Sequence, residues 1–135
     1  MTYAVRYYTR SGNTEKLADA IAIALKTQSL QVSVPLEEKV DVLFLGCSYY
    51  AFDVDEAVKA FVHENQDKIG SIVCFGTSAM MKSMQKPMSK VVEGTSIVLS
   101  NREFHCRGAF GPMHKNRPDE KDRKAAADFA KSVIG

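Results

Sequence analysis

Along the chain, short runs dominated by Val, Ile, Leu, Phe and Tyr alternate with longer stretches in which apolar residues return every three or four positions. The first pattern predicts strands and the second predicts helices. Thr2 to Tyr8 reads as a strand that ends at a polar, Gly-containing turn. From Asn13 onward, Leu17, Ala18, Ile21, Ala24 and Leu25 fall at helical spacing, with Glu15 and Asp19 early and Lys26 late, the polarity that the helix dipole favours. Leu30 to Val34 stops before Pro35 and predicts a short strand at or near a sheet edge. Val40 to Cys47 is almost continuously apolar, as expected of a parallel strand covered on both faces, and is the candidate central strand.

A second helix is expected over Asp53 to Gln66, carrying Val54, Val58, Phe61 and Val62 inward, with Asp53 as its N-cap candidate. Gly70 marks a restart, Ile72 to Phe75 is a buried strand, and Gly76 opens the loop after it. Met80 to Val92 predicts a short helix interrupted or started at Pro87. Ser96 to Phe104 is the last strand, His105 to Pro118 a Gly- and Pro-containing loop, and Asp119 to Val133 a terminal helix with Ala126, Phe129, Ala130 and Val133 on one face. Strands alternating with helices imply right-handed crossovers and a parallel sheet. The fold expected is α/β: a doubly wound five-stranded parallel sheet, order 2-1-3-4-5, with helices on both faces. The 135 residues suit a single domain spanning 1–135. In that topology a ligand lies beyond the carboxyl ends of strands one and three, so the loops after Tyr8, Gly46 and Phe75 should converge.

Composition narrows the function. Apolar residues make up 45% and charged residues 25%, as in ordinary globular domains. The formal charge of +2 is small and its basic residues are scattered, so nucleic acid is not an expected partner. The apolar runs fall far short of the roughly 20 residues of a membrane span, and the first residues lack the pattern of a secretory signal, so a cytoplasmic protein is expected. Cys47, Cys74 and Cys106 contain no C-x-x-C pair and read as buried thiols in a reducing compartment. His105 and Cys106 are adjacent metal-ligating types, but no second pair accompanies them, and no metal is expected. No nucleophile-elbow sequence or phosphatase loop is present, so no catalytic residue is assigned.

The distinctive chemistry lies between the first strand and first helix. Thr9, Arg10, Ser11, Gly12, Asn13 and Thr14 place three hydroxyls, an amide and a glycine at the positive end of a helix, where backbone N–H groups can bind an anion such as phosphate. The same residues also suit an ordinary polar N-cap. The turn matches neither G-x-x-x-x-G-K-[ST] nor G-x-G-x-x-G. A receiver domain of the same fold would require acidic residues at the end of strand one, and Arg6 to Arg10 contains none.

Tyr8-Thr9-Arg10-Ser11-Gly12-Asn13-Thr14 resembles the FMN phosphate loop of flavodoxins, [ST]-x-[ST]-G-[NT]-T. Phe104 to Gly108, Gly111 and Asn116-Arg117-Pro118 resemble the strand-five region of short bacterial flavodoxin-like proteins, so the resemblance spans essentially the whole chain. It implies non-covalently bound FMN and an electron-transfer role between a reductase and an acceptor enzyme, with a monomer expected. It also implies that the flavin ring lies against the loops after strands three and four. In the first of these, Ser48, Tyr49 and Tyr50 are candidate neighbours of the ring, while Phe52 is the aromatic expected in the core. In the second, backbone N–H groups around Gly76, Thr77 and Ser78 are candidates for the ring's polar edge. This loop lacks the tyrosine that usually covers the outer ring face, so either Met80 or Met81 replaces it or that face is open. An open face leaves room for a small FMN-dependent NAD(P)H:quinone-type reductase, and a flavin-free binding module is a further alternative.

Overall fold

The computed structural model describes residues 1–9, 12–47, 54–77, 83–106 and 117–135. These form strands β1 (Tyr3–Tyr7), β2 (Ser29–Gln31), β3 (Val40–Gly46), β4 (Ile69–Thr77) and β5 (Val98–Cys106), and helices α1 (Asn13–Leu25), α2 (Glu56–Glu64), α3 (Gln85–Val92) and α4 (Glu120–Ile134). All strand pairs are parallel and the order is β2-β1-β3-β4-β5, the doubly wound arrangement expected from the sequence.

Two apolar layers sandwich the sheet. Leu43, Leu45, Ile72 and Cys74 pack with Val58, Phe61, Val62, Met88 and Val91 of α2 and α3. Val5, Tyr7, Phe44, Val73 and Phe75 pack on the other side with Leu17, Ala18 and Ile21 of α1 and Ala126 and Ala130 of α4. Leu43, Phe44 and Leu45 are fully buried in succession, which explains why β3 is apolar without alternation. Each large side chain so buried contributes roughly 1.5–3 kcal/mol from loss of water contact.

Several boundaries differ from the sequence-based expectation for identifiable reasons. The N-cap of α2 is Asp55, whose carboxylate accepts from the N–H of Ala57 at 3.0 Å; the expected cap, Asp53, lies outside the described residues. Strand β4 begins at Ile69 and runs through Gly70, because there the backbone passes so close to Asp41 that a Cβ would sit 2.7 Å from its carbonyl oxygen. Helix α3 starts at Gln85, with Pro87 in the first turn, where its missing N–H costs no intrahelical bond. Strand β5 continues through His105 and Cys106, which were expected in the following loop; their pairing with Gly76 and Thr77 extends the ladder. Helix α4 opens with a capping box between Asp119 and Asp122.

Edge strand β2 is only three residues long, and a buried arginine on its neighbour secures the chain that follows it. Arg6 donates from Nε to the carbonyl of Val34 at 2.9 Å, from Nη2 to that of Pro35 at 3.2 Å and from Nη1 to that of Val5 at 3.1 Å. Burial lowers its pKa from the usual arginine value, partly offset by Glu37.

Candidate functional site

Parallel strands all point their carboxyl ends the same way, so β1, β3 and β4 deliver Tyr8, Cys47 and Thr77 to one rim of the sheet. The N–H of Tyr8 donates to the carbonyl of Gly46 at 2.9 Å, and that of Cys47 to the carbonyl of Phe75 at 3.1 Å, so the three strands remain paired up to the rim. The winding reverses between β1 and β3, and α1 starts directly above that point.

Of the expected phosphate turn, Thr9, Gly12, Asn13 and Thr14 are described, whereas Arg10 and Ser11 lie outside the described residues. Gly12 is the N-cap of α1, with φ +87°, and brings no side-chain cap to the helix. Its N–H donates to Thr9 Oγ1 at 3.0 Å, closing the turn on itself. Among the described residues, a Cβ added at Gly12 would meet nothing within 4 Å, so the glycine is required by its conformation rather than by a close approach. Asn13 and Thr14, the first residues of the helix proper, are buried.

The turn is braced from behind. Thr14 Oγ1 lies 3.3 Å from Thr77 Oγ1, joining the first turn of α1 to the last residue of β4. A Cβ at Gly46 would strike the Phe75 ring and lie 2.9 Å from Thr14 Cγ2, and one at Gly76 would strike the carbonyl oxygen of Cys47. Two glycines thus permit the close approach of strands β3 and β4 at the rim. Gly76 is among the site residues expected from the sequence, whereas Gly46 is expected only as the strand end before a converging loop. Tyr7, at the end of β1, donates its hydroxyl to Glu15 Oε2 at 2.7 Å; burial first, and then Glu15, push its pKa up to about 12. This bond ties the carboxylate in the first turn of α1 to the sheet.

The structure therefore brings Thr9, Gly12, Asn13, Thr14, Gly76 and Thr77 to the same end of the sheet. The other expected site residues, Ser48, Tyr49, Tyr50 and Ser78, lie outside the described residues, as do Phe52, Met80 and Met81. Cys47 is fully buried and burial drives its thiol pKa well above the ordinary value; Cys74 and Cys106 are also buried, with thiols pushed up to about 12, so all three pack as neutral thiols. Among the described residues no group of three or more His, Cys, Asp or Glu side chains is placed to hold a metal ion, and no helix is long and apolar enough to cross a membrane.

A glycine-led helix start, hydroxyls beside it and a closed sheet rim below fit the phosphate end of an FMN. No protein-family model matches the chain. An uncharacterised protein of Methanocaldococcus jannaschii is 28% identical over a match covering 90% of each chain. A flavodoxin from the domain Archaea superposes with a TM-score of 0.77 at 17% identity, covering 100% of both chains. A flavoprotein from Lactobacillus acidophilus, solved in complex with FMN, superposes with a TM-score of 0.65 at 13% identity, covering 78% of this chain and 92% of that one. The agreement in strand order, helix placement and extent shows that this chain has the flavodoxin-like fold.

Proposed function

We propose that the protein binds one FMN non-covalently at the carboxyl ends of β1, β3 and β4 and carries electrons between a reductase and an acceptor protein. The observation that supports this most directly is the glycine-led start of α1, fastened to the end of β4 through Thr14 and Thr77. The phosphate would sit in the Thr9–Thr14 turn, with Arg10 and Ser11 completing it, where backbone dipoles and hydroxyls replace its water. The ring would lie toward Ser48, Tyr49 and Tyr50 on one side and Gly76, Thr77 and Ser78 on the other. Flavodoxin-fold proteins that hold FMN, such as the Lactobacillus flavoprotein, support the choice of cofactor.

The bound flavin supplies reversible one- and two-electron chemistry. The protein's own residues bind and orient: Gly12 admits the phosphate, Thr14 and Thr77 fix the turn against the sheet, and Gly46 and Gly76 keep the rim narrow. No protein nucleophile is needed. A carrier of this kind meets its redox partners through small, transient contacts and works as a monomer.

The experiment is a visible spectrum of the purified protein titrated with FMN and then reduced stepwise. Perturbed flavin bands that saturate at one equivalent support the reading. The free-FMN spectrum at every ratio would overturn it.

A further inference from the structure

The inner face of β5 carries a polar pair that the phosphate turn does not use. Glu103 and His105 alternate with Phe104 and Cys106 and so point toward the α2/α3 layer, opposite Cys74 and Gly76 of β4. Their side chains are only 17% and 11% exposed, and His105 Nε2 lies 3.2 Å from Glu103 Oε1. Glu103 Oε2 is buried with no hydrogen-bond partner among the described residues, and His105 Nε2 is buried with Glu103 as its polar neighbour. A carboxylate and an imidazole set against apolar side chains without full hydrogen bonding cost stability, and such groups are commonly retained for a proton-linked role.

Their position suggests what that role is. Gly76 pairs with His105, and Gly76 and Thr77 form the rim on which the proposed ring would rest. We infer that Glu103 and His105 form a proton site coupled to the redox state of the flavin, taking up a proton when an electron reaches the ring. This inference rests on the FMN reading above. In the coupled step the reductant loses one electron, the flavin gains it, and a proton from water forms an N–H bond at His105 Nε2. Negative charge added at the rim attracts that proton across a poorly hydrated interior, where charges interact over longer distances than in water.

The surroundings leave the pair as the responsive group. Glu103 is the charged group bearing on the imidazole; burial lowers the His105 pKa from its usual value and Glu103 partly restores it. Among the described residues of β4, the Cys74 thiol is the titratable group facing the pair, and burial pushes its pKa up to about 12. Helix α3 turns Lys86 and Lys90 to solvent and directs the neutral amide of Gln85 to the carbonyl of Ser100. On the opposite face Arg102 is engaged with Ser132, and Arg117 with Asp122.

The test follows the imidazole nitrogens of His105 by NMR across pH, in the FMN-free protein and in oxidised and dithionite-reduced FMN-loaded protein, for the natural sequence and Glu103→Gln. In the FMN-free protein, Glu103→Gln should weaken proton binding at His105 about tenfold, roughly one pH unit. Unchanged titration overturns the pair whether or not FMN binds. In the loaded protein, reduction should strengthen proton binding at His105 at least about threefold, as expected for a charge a few residues away in a low-dielectric site. FMN that binds and reduces with no movement of the His105 titration overturns the coupling alone. Failure to bind FMN overturns both the coupling and the carrier function.

Discussion

Thr14 and Thr77 are 63 positions apart in sequence, yet their hydroxyl oxygens lie 3.3 Å from each other in the core, one in the first turn of α1 and the other at the end of β4. Both residues are shielded from water, so the contact between their hydroxyls offsets part of the desolvation of each. The contact fixes the height of the phosphate turn above the sheet.

Replacing Thr14 by Val keeps the shape and removes the hydroxyl, and with it the contact to Thr77 Oγ1. The expected loss is about 1 kcal/mol of folding stability, the net worth of one buried hydrogen bond. Thr77→Val should cost a similar amount. The double variant should cost less than the sum, since the contact between the two hydroxyls can be lost only once. Urea titrations of all three proteins, combined as a double-mutant cycle, measure the coupling.

Gly12 and Gly76 should respond differently to the same added methyl. At Gly12 there is space but the backbone is left-handed, so Gly12→Ala should cost only about 1–2 kcal/mol and leave a folded protein with weakened FMN binding. At Gly76 the methyl meets the backbone carbonyl of Cys47, which cannot yield without parting β3 from β4. Gly76→Ala should therefore lose about 3 kcal/mol or more. Circular dichroism melts and FMN fluorescence titration distinguish the two.

Asp122 predicts acid sensitivity. Its carboxylate accepts from Arg117 Nη2 at 2.7 Å and from the N–H of Asp119 at 2.8 Å. The Arg117 bond, chiefly, holds its pKa below the ordinary carboxylate value against the opposing effect of burial. A carboxyl depressed in the folded state contributes stability that is fully present above the unfolded value near 3.9 and is lost as pH falls through the folded value. Asp122→Asn should therefore cost about 1–3 kcal/mol at pH 7 and much less near pH 2, as read from denaturant midpoints at both pH values.

The formal charge of +2 predicts redox behaviour of the FMN-loaded protein. Without a strongly negative field, the reduced flavin is penalised less, so its second reduction potential should be less negative than that of an acidic flavodoxin. Docking to a reductase should also depend only weakly on ionic strength. Potentiometry and stopped-flow electron transfer across a salt series measure both; a very low second potential would contradict the expectation.

Much of this architecture was legible in the order of apolar runs. Val40 to Cys47 identified the central strand because covered faces remove alternation, and Leu17, Ala18 and Ile21 identified the inward stripe of α1. Less legible was whatever depends on a distant partner. Glu103 and His105 interrupt the apolar pattern of β5, so its last residues read as loop until pairing with β4 placed them. Gly70 reads as a restart ahead of the strand, because sequence cannot reveal that the Asp41 backbone passes beside it within β4. Asp53 and Asp55 are chemically identical cap candidates, and only the bond to Ala57 selects the second. The Thr9–Thr14 turn was recognisable from its residue types, but its brace on Thr77 depends on strand register.

The two outer strands bear on how the protein avoids joining its own copies. A parallel sheet with exposed margins invites another chain to add a strand and begin a fibre. At one margin, β2 offers only three residues, and the Arg6 fork holds the following chain so that the strand cannot lengthen. At the other, β5 carries an irregularity in its pairing and turns the acidic side chain of Glu103 inward. An inward-pointing charge and an irregular ladder are devices that discourage edge-to-edge pairing, so the pair assigned to proton uptake also guards this margin.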